Sequence, residues 1–571
     1  MQPKRWQIEP RAPGAHFAQF PDLPPLIVQI LFNRGFTSPG DVSDFLDYRC
    51  TDDDPLALKG MSRAVERLTT AIIQQETIAV YGDYDADGVT ATALMMQLFS
   101  GLDARAEAYI PNRFEEGYGL NVEALKELSE RGVKVVLTVD CGIRSAEEVA
   151  FGNKLGLDII ITDHHTVGAE IPPALAAINP KQADCTYPFK ELAGVGLAHK
   201  LAQALIRSEN LNGYGNRVEL SEDAFLDLVA LGTVADLAPL YGENRNLVQR
   251  GLRQLNQSLR PGLTALMAQG SARSTSRITA GTIGFVIGPR LNAAGRLDSA
   301  LAAYQLLMAE SEAEAIDLAA ELDGQNRARQ QLTEETVTVA RQAILADDFS
   351  RPLHFVSHPD FNPGVVGLAA SRLSEELYRP VLVAERGPAV TRGSARSIPE
   401  FHITEALDEC ADLLVRYGGH AAAAGFTVEN ENLPALQRRM LDIARSSLDV
   451  SQLRPTVFVD GEINLRGVRQ ALVEAITNLQ PFGYGNPTPR LLTRRLKVKY
   501  KKAVGQEAQH LRLSLHDGRY TWNAIAFRQG QWTDKLQIGQ DIDVVYSLEF
   551  NQWHGERHMQ LNIKDLRPSE R

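Results

Sequence analysis

The sequence contains little cysteine, and its four cysteines show no pairing pattern. Cys50, Cys141, Cys185 and Cys410 lie far apart and form no C-x-x-C pair. This spacing predicts neither a disulfide framework nor a structural zinc site, and it is typical of a reducing cytoplasm. The chain also has no run of the roughly 18 apolar residues that a membrane span needs. Its first eleven residues carry charges and proline with no apolar stretch behind them, so we expect no secretory signal and no membrane partner.

Positive charge is not in excess either. The 59 lysines and arginines against 71 aspartates and glutamates give a net charge of −12, which alone argues mildly against a nucleic-acid partner. A metal site needs clustered carboxylates, however, and charge can be distributed unevenly between domains. The sequence also has no repeat of solenoid or propeller period, no Walker lysine motif and no G-x-S-x-G elbow. We therefore expect neither nucleotide-driven work nor acyl transfer.

The overall composition and length are those of an ordinary globular enzyme with several domains. Of the 571 residues, 44% are hydrophobic and 23% are charged, which excludes disordered and fibrous classes. The length is about four times that of a typical domain of roughly 150 residues. We expect an N-terminal helical extension, a catalytic domain, a long connecting helix, a second α/β domain and a C-terminal domain, at 1–60, 61–310, 311–350, 351–450 and 451–571.

Short apolar segments alternate with helical ones between residues 78 and 162. We predict strands at 78–81, 108–110, 135–139 and 158–162, and helices at 89–102, 122–131 and 145–155. This alternation predicts βαβ units around a buried parallel sheet, which is the α/β fold class. From residue 194 to about 309 the pattern becomes mainly helical.

Three further patterns occupy the C-terminal half. Ser311 and Glu314 form an S-x-x-E capping box before a helix-forming stretch that runs to about residue 345, although Gly324 could interrupt it. A second βα-like region follows, with a helix at 365–377, a strand at 381–383 and a glycine-rich turn at 418–419. From about residue 454, segments that alternate with period 2, such as 511–515 and 542–546, predict a small β-barrel.

Four polar clusters carry the candidate chemistry, and three of them directly follow predicted strands. Their members are Asp83, Asp85 and Asp87, then Asp140, then Asp163, His164 and His165, and finally Asp236 in an apolar helical stretch. In an open α/β sheet, ligands bind at the carboxyl ends of the strands, so the three strand-end clusters should meet at one edge. Carboxylates packed this closely raise one another's pKa unless cations neutralise them.

This donor set suits a pair of divalent cations. Carboxylates mixed with imidazole bind Mn²⁺ well and Mg²⁺ less strongly. Four or more carboxylates and one histidine are enough for two ions about 3.5–4 Å apart, the arrangement used for in-line attack on phosphorus, in which one ion activates water and the pair stabilises the attacking and leaving oxygens.

Each cluster taken alone has a plainer interpretation. The first resembles a solvated turn or a calcium loop, but counting twelve positions from Asp83 reaches Leu94 where a calcium loop needs glutamate. Asp140 alone is typical of a helix cap, and a His-His pair is usually half-buried structure. The occurrence of all three clusters at strand ends favours the metal site.

The clusters resemble the motifs of the DHH phosphoesterase superfamily, which is named for triplets such as Asp163-His164-His165. Its RecJ family, the bacterial single-strand-specific 5′-to-3′ exonucleases, is further resembled by the segments 111–113, 116–120, 288–296, 418–420, 424–426 and 481–487. The resemblance covers nearly the whole chain. It implies a parallel-sheet DHH domain, a long helix, an α/β DHH-associated domain and a C-terminal OB-fold barrel. It also implies hydrolysis of single-stranded DNA to mononucleotides in DNA repair and recombination.

The resemblance also assigns roles to matching residues. The implied ligands of two Mn²⁺ or Mg²⁺ ions are Asp83, Asp85, Asp87, Asp140, His164 and Asp236, with Asp140 between the ions. The implied catalytic residues are His165, which would contact the scissile phosphate or the nucleophile, and Asp163, which would orient an imidazole or be structural. The implied DNA contacts are Arg113, Arg290, Arg296, Ser394, Arg396, Gly419 and His420, because arginine binds phosphate oxygens in pairs.

Two residues depart from the family pattern, and one motif has two interpretations. Tyr81 stands where many members have a histidine ligand, so Asp83 or water must complete that shell. Asn362 stands where the DHH-associated domain often has histidine before its Pro-Gly-Val-Val-Gly turn.

The segment 418–420 before its alanine run predicts either an anion site at a helix start or a plain turn before a packed helix.

Basic and aromatic residues of the predicted barrel would supply the missing positive charge. The basic residues are Arg494, Arg495, Lys497, Lys499, Lys501 and Lys502, and the aromatic residues are Tyr520, Trp522, Phe527, Trp532, Phe550 and Trp553. We take Lys499 and Lys501 as candidate DNA contacts, because cationic tracking with base stacking is how OB-fold barrels hold single strands. The alternative is a solvated charge run above an aromatic core.

Two other functions remain open at this point. One is a small-substrate DHH phosphodiesterase acting on short oligonucleotides or cyclic dinucleotides, although such enzymes lack the long helix and the barrel. The other is a non-catalytic single-strand-binding scaffold with a decayed site, although the implied metal ligands are all acidic or histidine. The resemblance suggests a single-stranded-DNA-binding protein and a RecQ-type helicase as partners, and we expect a monomer.

Overall fold

The computed structural model describes residues 4–47, 53–112, 116–117, 119–208, 211, 220–269, 277–297, 299–553 and 556–570. The N-terminal part contains β1 (Arg5–Ile8), α1 (Gly14–Phe17), α2 (Pro25–Asn33) and α3 (Pro39–Asp47). Helices were expected here, whereas strand β1 was not. In these described ranges, no helix combines the length and the apolar character that crossing a membrane requires. Three of the four cysteines are described, and each is a buried free thiol.

A five-stranded parallel sheet follows the N-terminal part. Its elements are α4 (Met61–Gln74), β2 (Ile78–Gly82), α5 (Ala86–Gly101), β3 (Ala106–Tyr109), α6 (Val122–Glu130), β4 (Val135–Val139), α7 (Ala146–Lys154), β5 (Asp158–Thr162) and β6 (Ala176–Ile178). The strand order is β3-β2-β4-β5-β6. Every residue of β2 and β4 is buried, because helices cover both faces of the sheet. The predicted parallel α/β sheet is confirmed.

The next region is mainly helical, as predicted. It contains α8 (Gly194–Arg207), α9 (Leu226–Ala235), α10 (Gly242–Gln257), α11 (Pro261–Met267), α12 (Ala280–Thr282), a π-helical turn (Ile283–Ile287), α13 (Gly288–Leu297) and α14 (Leu301–Met308). Helices α8 and α9 pack on α5 and so on the parallel sheet. They supply much of the largest hydrophobic core of the molecule.

Helix α15 (Glu312–Ala346) connects the two α/β regions. It is 35 residues long, or about 50 Å at 1.5 Å per residue. Ser311 caps it by accepting a 3.3 Å hydrogen bond from the Glu314 amide, as the sequence predicted. Gly324 does not interrupt it. Its N-terminal half packs against α11, α13 and α14, and its C-terminal half packs against the second sheet and its helix.

The second α/β region has a mixed sheet. Its elements are β7 (His354–His358), α16 (Val366–Leu377), β8 (Val381–Arg386), β9 (Val390–Arg396), α17 (Ile403–Asp408), β10 (Leu414–His420), β11 (Ala423–Glu429) and α18 (Leu433–Ser447). The strand order is β10-β11-β9-β8-β7, with only β7 and β8 parallel.

Both interpretations of segment 418–420 as the approach to a helix are wrong. Gly418 and Gly419 lie in β10, and the alanine run turns directly into β11. Burial alternates along β11, where Phe426 and Val428 enter the core, and this alternation outweighs the helix propensity of the alanines. A Cβ on Gly419 would overlap Ala423 O, so glycine is required there.

The C-terminal region is a closed β-barrel. Its elements are β12 (Thr456–Val459), β13 (Gly461–Glu462), α19 (Gln470–Thr477), β14 (Leu491–Val504), β15 (His510–His516), β16 (Thr521–Ala526), α20 (Trp532–Lys535), β17 (Asp541–Trp553) and β18 (Glu556–Pro568). The order is β13-β14-β15-β16-β18-β17, and β14 pairs with β17 to close the barrel. The predicted barrel is confirmed.

The N-terminal part packs on this barrel. Strand β1 pairs in parallel with β12, and Trp6 Nε1 donates a 2.6 Å hydrogen bond to Asp565 Oδ2. Apolar residues of α2 and α3 share one hydrophobic core with the barrel strands. The barrel is therefore covered by residues more than 400 positions earlier in the chain.

Candidate metal centre and nucleic-acid interface

The polar clusters meet at the carboxyl edge of the parallel sheet. Asp83 and Asp85 lie between β2 and α5, Asp140 directly follows β4, and His164 and His165 follow β5. Strands β2, β4 and β5 are neighbours in the sheet, so their ends deliver these side chains to one place.

Asp87 and Asp236 complete the cluster from two helices. Asp87 lies in the first turn of α5, and Asp236 ends α9, which packs on α5. His164 Nε2 lies 3.1 Å from Asp140 Oδ1, 3.6 Å from Asp236 Oδ2 and 3.9 Å from Asp87 Oδ2. Three overlapping groups of ligand atoms, each within 4.8 Å, result: Asp140, His164 and His165; Asp87, His164 and Asp236; Asp83, Asp85 and Asp140.

Backbone amides fix the carboxylates of the cluster. Asp87 accepts hydrogen bonds from the amides of Gly194, at 2.7 Å, and Val195, at 2.9 Å, at the start of α8. Asp85 caps α5 by accepting bonds from the Asp87 and Gly88 amides at 2.9 and 3.2 Å. These backbone hydrogen bonds fix the positions of both carboxylates, so this part of the cluster is preorganised.

The donor atoms fit divalent cations. Asp140 Oδ1 and His164 Nε2 are buried, and neither has a hydrogen-bond partner in the described part of the chain. Burial and the neighbouring Asp85 carboxylate raise the pKa of Asp87 to about 7. Burial and Asp87 raise the pKa of Asp236 to about 9, and the same two causes raise the pKa of Asp140 well above its ordinary value. A cluster with this much uncompensated negative charge is stabilised by cations.

His165 and Asp163 form a separate pair at the rim of the cluster. Asp163 Oδ1 lies 2.7 Å from His165 Nδ1 and accepts the His165 amide at 3.0 Å, while Asp163 Oδ2 accepts the Ile143 amide at 2.9 Å. Burial would raise the pKa of Asp163, but these hydrogen bonds outweigh it and lower that pKa. Burial would lower the pKa of His165, but the bond to Asp163 outweighs it and raises that pKa. Asp163 therefore orients the His165 ring.

Tyr81 faces away from the metal cluster. Its ring lies in the apolar core on the opposite side of the sheet, and its hydroxyl donates to Gly119 O at 3.0 Å and accepts from Asn121 Nδ2 at 3.1 Å. Asp83 lies within the group formed with Asp85 and Asp140. This placement favours Asp83 as the residue that completes the shell.

The predicted arginine contacts to DNA have different surroundings. Arg113 lies outside the described residues. Arg290 is only 5% exposed, and it donates to Asp323 Oδ1 on α15 at 3.0 Å and to Val286 O at 2.7 Å. The geometry does not favour the predicted DNA contact by Arg290, because its guanidinium already ties α13 to α15. Arg296 Nη1 donates to Gly364 O at 3.4 Å, across the boundary between the two α/β regions.

The other predicted DNA contacts in the second sheet lie on strands β9 and β10, on either side of β11. Register places Gly425 of β11 opposite Ser394, and Ala423 opposite both Arg396 on β9 and His420 on β10. Arg396 Nη1 donates to Ser394 Oγ at 3.1 Å. Gly419 and His420 are exposed at the end of β10. Ser394, Arg396 and His420 therefore lie on one face of the mixed sheet, across three neighbouring strands, and Gly419 precedes His420 on β10.

The basic run on β14 is less uniform than the sequence suggested. Arg494 pairs with Glu462 at 3.1 Å and Lys497 lies 3.9 Å from Asp541. Lys501 Nζ donates to Thr533 O and Leu536 O at 2.5 Å, at the end of α20. Lys499 is exposed. Acidic neighbours and backbone carbonyls therefore bind several members of the run and partly compensate its positive charge.

The predicted aromatic residues divide between surface and core. Tyr520 and Phe527 are exposed, at 39% and 53%. Trp522 is a core residue of the barrel, Trp532 and Phe550 are partly buried against that core, and the Trp553 side chain lies outside the described set.

Two residues that hold the cluster in place, Gly194 and Asn292, were not predicted from the sequence. A Cβ on Gly194 would lie 2.6 Å from Asp140 Oδ1, so only glycine fits there. Asn292 Oδ1 accepts a 2.7 Å bond from the Ala86 amide and holds the first cluster against α13. The alternating glycines at Gly194 and Gly196, at the start of an apolar helix, were the available signal for the first of these.

Three family models match separate parts of the chain. The model of the DHH family, N-terminal domain, matches residues 77–233, that of the DHHA1 domain matches residues 350–446, and that of the RecJ OB domain matches residues 459–565. Their order along the chain is that of the parallel sheet, the mixed sheet and the barrel.

Known proteins resemble the chain over nearly its full length. It is 38% identical to the single-stranded-DNA-specific exonuclease RecJ of Bacillus subtilis, over 96% of this chain and 68% of that protein. The crystal structure of RecJ from Thermus thermophilus in complex with Mn²⁺ superposes with a TM-score of 0.83 at 31% identity, covering 99% of this chain and 80% of that one. The Mg²⁺ complex of the same protein superposes with a TM-score of 0.77 at 29% identity, covering 99% and 79%.

Proposed function

The chain belongs to the RecJ family of single-stranded-DNA-specific exonucleases, and from that premise we propose that it degrades single-stranded DNA from the 5′ end with two bound Mn²⁺ or Mg²⁺ ions. The observation that carries the proposal is the cluster of five aspartates and one histidine, all buried or half-buried, at the carboxyl edge of the parallel sheet. Its members in this proposal are Asp83, Asp85, Asp87, Asp140, His164 and Asp236.

Two cations at this site would activate water and stabilise the charge that develops on the reacting phosphate. Asp140 belongs to two of the three ligand groups, one with His164 and His165 and one with Asp83 and Asp85, and this supports its role between the ions. Gly194 and Val195 hold Asp87 in place through their amides. The protein thus keeps the ligands fixed before substrate arrives.

His165 is proposed to contact the scissile phosphate. Asp163 binds Nδ1 of the ring, which directs the opposite ring nitrogen, Nε2, away from Asp163. The bond to Asp163 raises the pKa of His165, which favours the protonated ring, and a protonated ring can donate to a phosphate oxygen. Asp163 acts through His165 as its orienting residue.

Substrate binding is proposed to involve the second sheet and the barrel. Ser394 and Arg396 on β9 and His420 on β10 lie on one face of the mixed sheet, with Gly419 beside His420, and their polar side chains suit a phosphate group. Lys499 is exposed on the barrel and suits the DNA backbone. The proposal has further parts. The products are mononucleotides, and the protein acts in DNA repair and recombination as a cytoplasmic monomer. Its proposed partners are a single-stranded-DNA-binding protein and a RecQ-type helicase.

One experiment tests the reaction. Single-stranded and duplex oligonucleotides, labelled at either the 5′ or the 3′ end, are incubated with the protein in Mn²⁺, Mg²⁺ or EDTA. We expect a 5′ label to be released at once as mononucleotide, and only from single strands with a metal present. Strand binding without any metal-dependent product would instead support a non-catalytic scaffold, and activity confined to short oligonucleotides or cyclic dinucleotides would support a small-substrate phosphodiesterase.

A further inference from the structure

The loop that follows Asp236 exposes an apolar side chain at the edge of the metal cluster. Leu237 is 68% exposed and has a backbone φ of +61°. A residue with a Cβ rarely adopts this left-handed conformation, which glycine and asparagine tolerate better. Neither burial nor backbone preference therefore explains a leucine at this position, and unfavourable conformations of this kind concentrate at functional sites.

Two tyrosines lie beside the same loop. Tyr484, in the turn that leads to the barrel, is 67% exposed, and its carbonyl accepts a 2.7 Å hydrogen bond from the Leu240 amide. Tyr241 is 39% exposed. A Cβ on Gly485 would lie 3.0 Å from Tyr241 Cδ1, so the turn and the loop are in close contact. Leu237, Tyr241 and Tyr484 are here called the apolar rim.

The turn that carries Tyr484 is braced from behind. Asn486 Nδ2 donates to Leu479 O at 2.9 Å and to Pro481 O at 2.7 Å, and Arg34 Nη2 donates to Pro487 O at 2.6 Å. These hydrogen bonds and the one from the Leu240 amide hold the turn in place without any contribution from the phenol ring. Its exposed ring is held on a rigid support, which lowers the entropy lost on binding.

We propose that the apolar rim contacts the nucleobases of the strand next to the phosphate at the metal cluster. This inference rests on the proposed function, since it concerns the same site. Every nucleobase has an apolar face, so stacking and apolar contacts hold a strand without selecting its sequence. Within a duplex these faces are covered by neighbouring base pairs. The rim therefore adds a preference for single strands.

Abasic substrates and two variants test the rim. The substrate is a single strand of about 30 nucleotides, with or without three abasic residues at the end that is degraded. The variants are Leu237→Asn, which relieves the backbone while removing the apolar side chain, and Tyr484→Ala. The control is Ile73→Ala, because Ile73 is 40% exposed near the end of α4, which leads into the amino end of β2, opposite the metal cluster.

We expect each rim variant to raise KM for the normal strand by about fivefold or more, the loss expected from one stacked base, with kcat little changed. We expect abasic residues to raise KM for the wild type and for Ile73→Ala, but to have a smaller effect on the rim variants. Leu237→Asn should unfold at the same temperature as the wild type or higher, which excludes misfolding as the cause.

Equal KM for normal and abasic strands with the wild-type protein would overturn the inference, as would wild-type KM in both rim variants. A wild-type protein that degrades no strand would instead refute the proposed function. Fluorescence anisotropy of both strands in EDTA then still tests the rim, because it measures binding without cleavage. Equal affinity for the two strands in that assay would overturn the inference.

Discussion

The Gly194 amide donates a 2.7 Å hydrogen bond to Asp87 Oδ2, and the same residue is so close to Asp140 that an added Cβ would lie 2.6 Å from Asp140 Oδ1. One glycine at the start of α8 therefore positions two of the proposed metal ligands. Its amide donates a hydrogen bond to Asp87, and its lack of a side chain leaves space for Asp140.

Gly194→Ala should consequently damage the site while sparing the fold. The methyl group must displace either Asp140 or the start of α8, and misplacement by about 1 Å costs a catalytic site roughly 100-fold in rate. We expect kcat to fall by about that factor, measured on a labelled single strand in Mn²⁺. Gly324→Ala is the control, because a Cβ on Gly324 would meet nothing within 4 Å. Equal kcat in the two variants would show that the tight approach of Gly194 to Asp140 is unimportant.

Asp140→Ala should abolish cleavage while largely sparing single-strand binding. The residue belongs to two of the ligand groups, whereas strand binding is assigned to other regions. Residual turnover above roughly one part in a hundred, the loss expected for a key electrostatic group, would contradict a position between the ions. Cleavage is followed on gels and binding by fluorescence anisotropy. Asp184→Ala is a matched control, because Asp184 is exposed and pairs with Lys59 at 2.7 Å.

The metal-free protein should lose stability as pH rises. The pKa values of Asp87, about 7, and Asp236, about 9, are raised in the folded state, so above the ordinary carboxyl pKa the folded chain binds more protons than the unfolded chain. The free energy of unfolding then falls with increasing pH, by up to about 1.4 kcal/mol per pH unit for each proton difference, and the loss from Asp236 is complete above pH 9.

Thermal unfolding in EDTA between pH 5 and 9 measures this trend. Asp236→Asn removes one of the raised carboxyls and should flatten the decline relative to the wild type, and Mn²⁺ should flatten it further by neutralising the cluster. Asp184→Asn provides the control for a surface carboxyl. A pH slope that is identical in wild type and Asp236→Asn would contradict the assignment of the decline to the cluster.

Two lysines on β14 should respond differently to alanine substitution. Lys499 is exposed, so Lys499→Ala should reduce the salt dependence of single-strand binding by about one phosphate contact, a slope of roughly 0.7. Lys501 donates to two carbonyls, so Lys501→Ala should lower the free energy of unfolding by about 1–3 kcal/mol and leave the salt slope unchanged.

Anisotropy titrations at several salt concentrations and denaturant unfolding separate these two outcomes. Lys126→Ala on α6 is the control for the loss of one exposed positive charge, since its side chain is 65% exposed. If Lys501→Ala changed the salt slope as much as Lys499→Ala, the basic run would act as one surface after all.

The sequence predicted the parallel sheet well because its central strands, β2, β4 and β5, are buried along nearly their whole length. Strands β4 and β5 begin and end at the predicted residues, since uninterrupted apolar runs with polar ends are readily located. The cluster could be predicted for the same reason: its residues follow those strands. Asp236 was identifiable as a carboxylate at the end of an apolar helical stretch.

Other features could not be predicted because they depend on contacts between residues far apart in the sequence. The hairpin of Gly418–Gly419 was expected to precede a helix, because alanine favours helices and the burial alternation of Phe426 and Val428 begins only afterwards. Arg290 was expected to contact DNA. Its motif does not reveal the hydrogen bond that its guanidinium donates to Asp323, 33 residues away. The pairing of β1 with β12 had no local signal.

The pairing of β1 with β12 determines when the N-terminal segment can complete its folding during synthesis. The partners Arg5 and Thr456 are 451 residues apart, so β1 emerges from the ribosome long before β12 exists. At roughly 5–20 residues per second, this delay is about 20–90 seconds. Until then α2 and α3 also lack the barrel core that covers their apolar side chains, and this segment of the nascent chain is the one that a chaperone would need to protect.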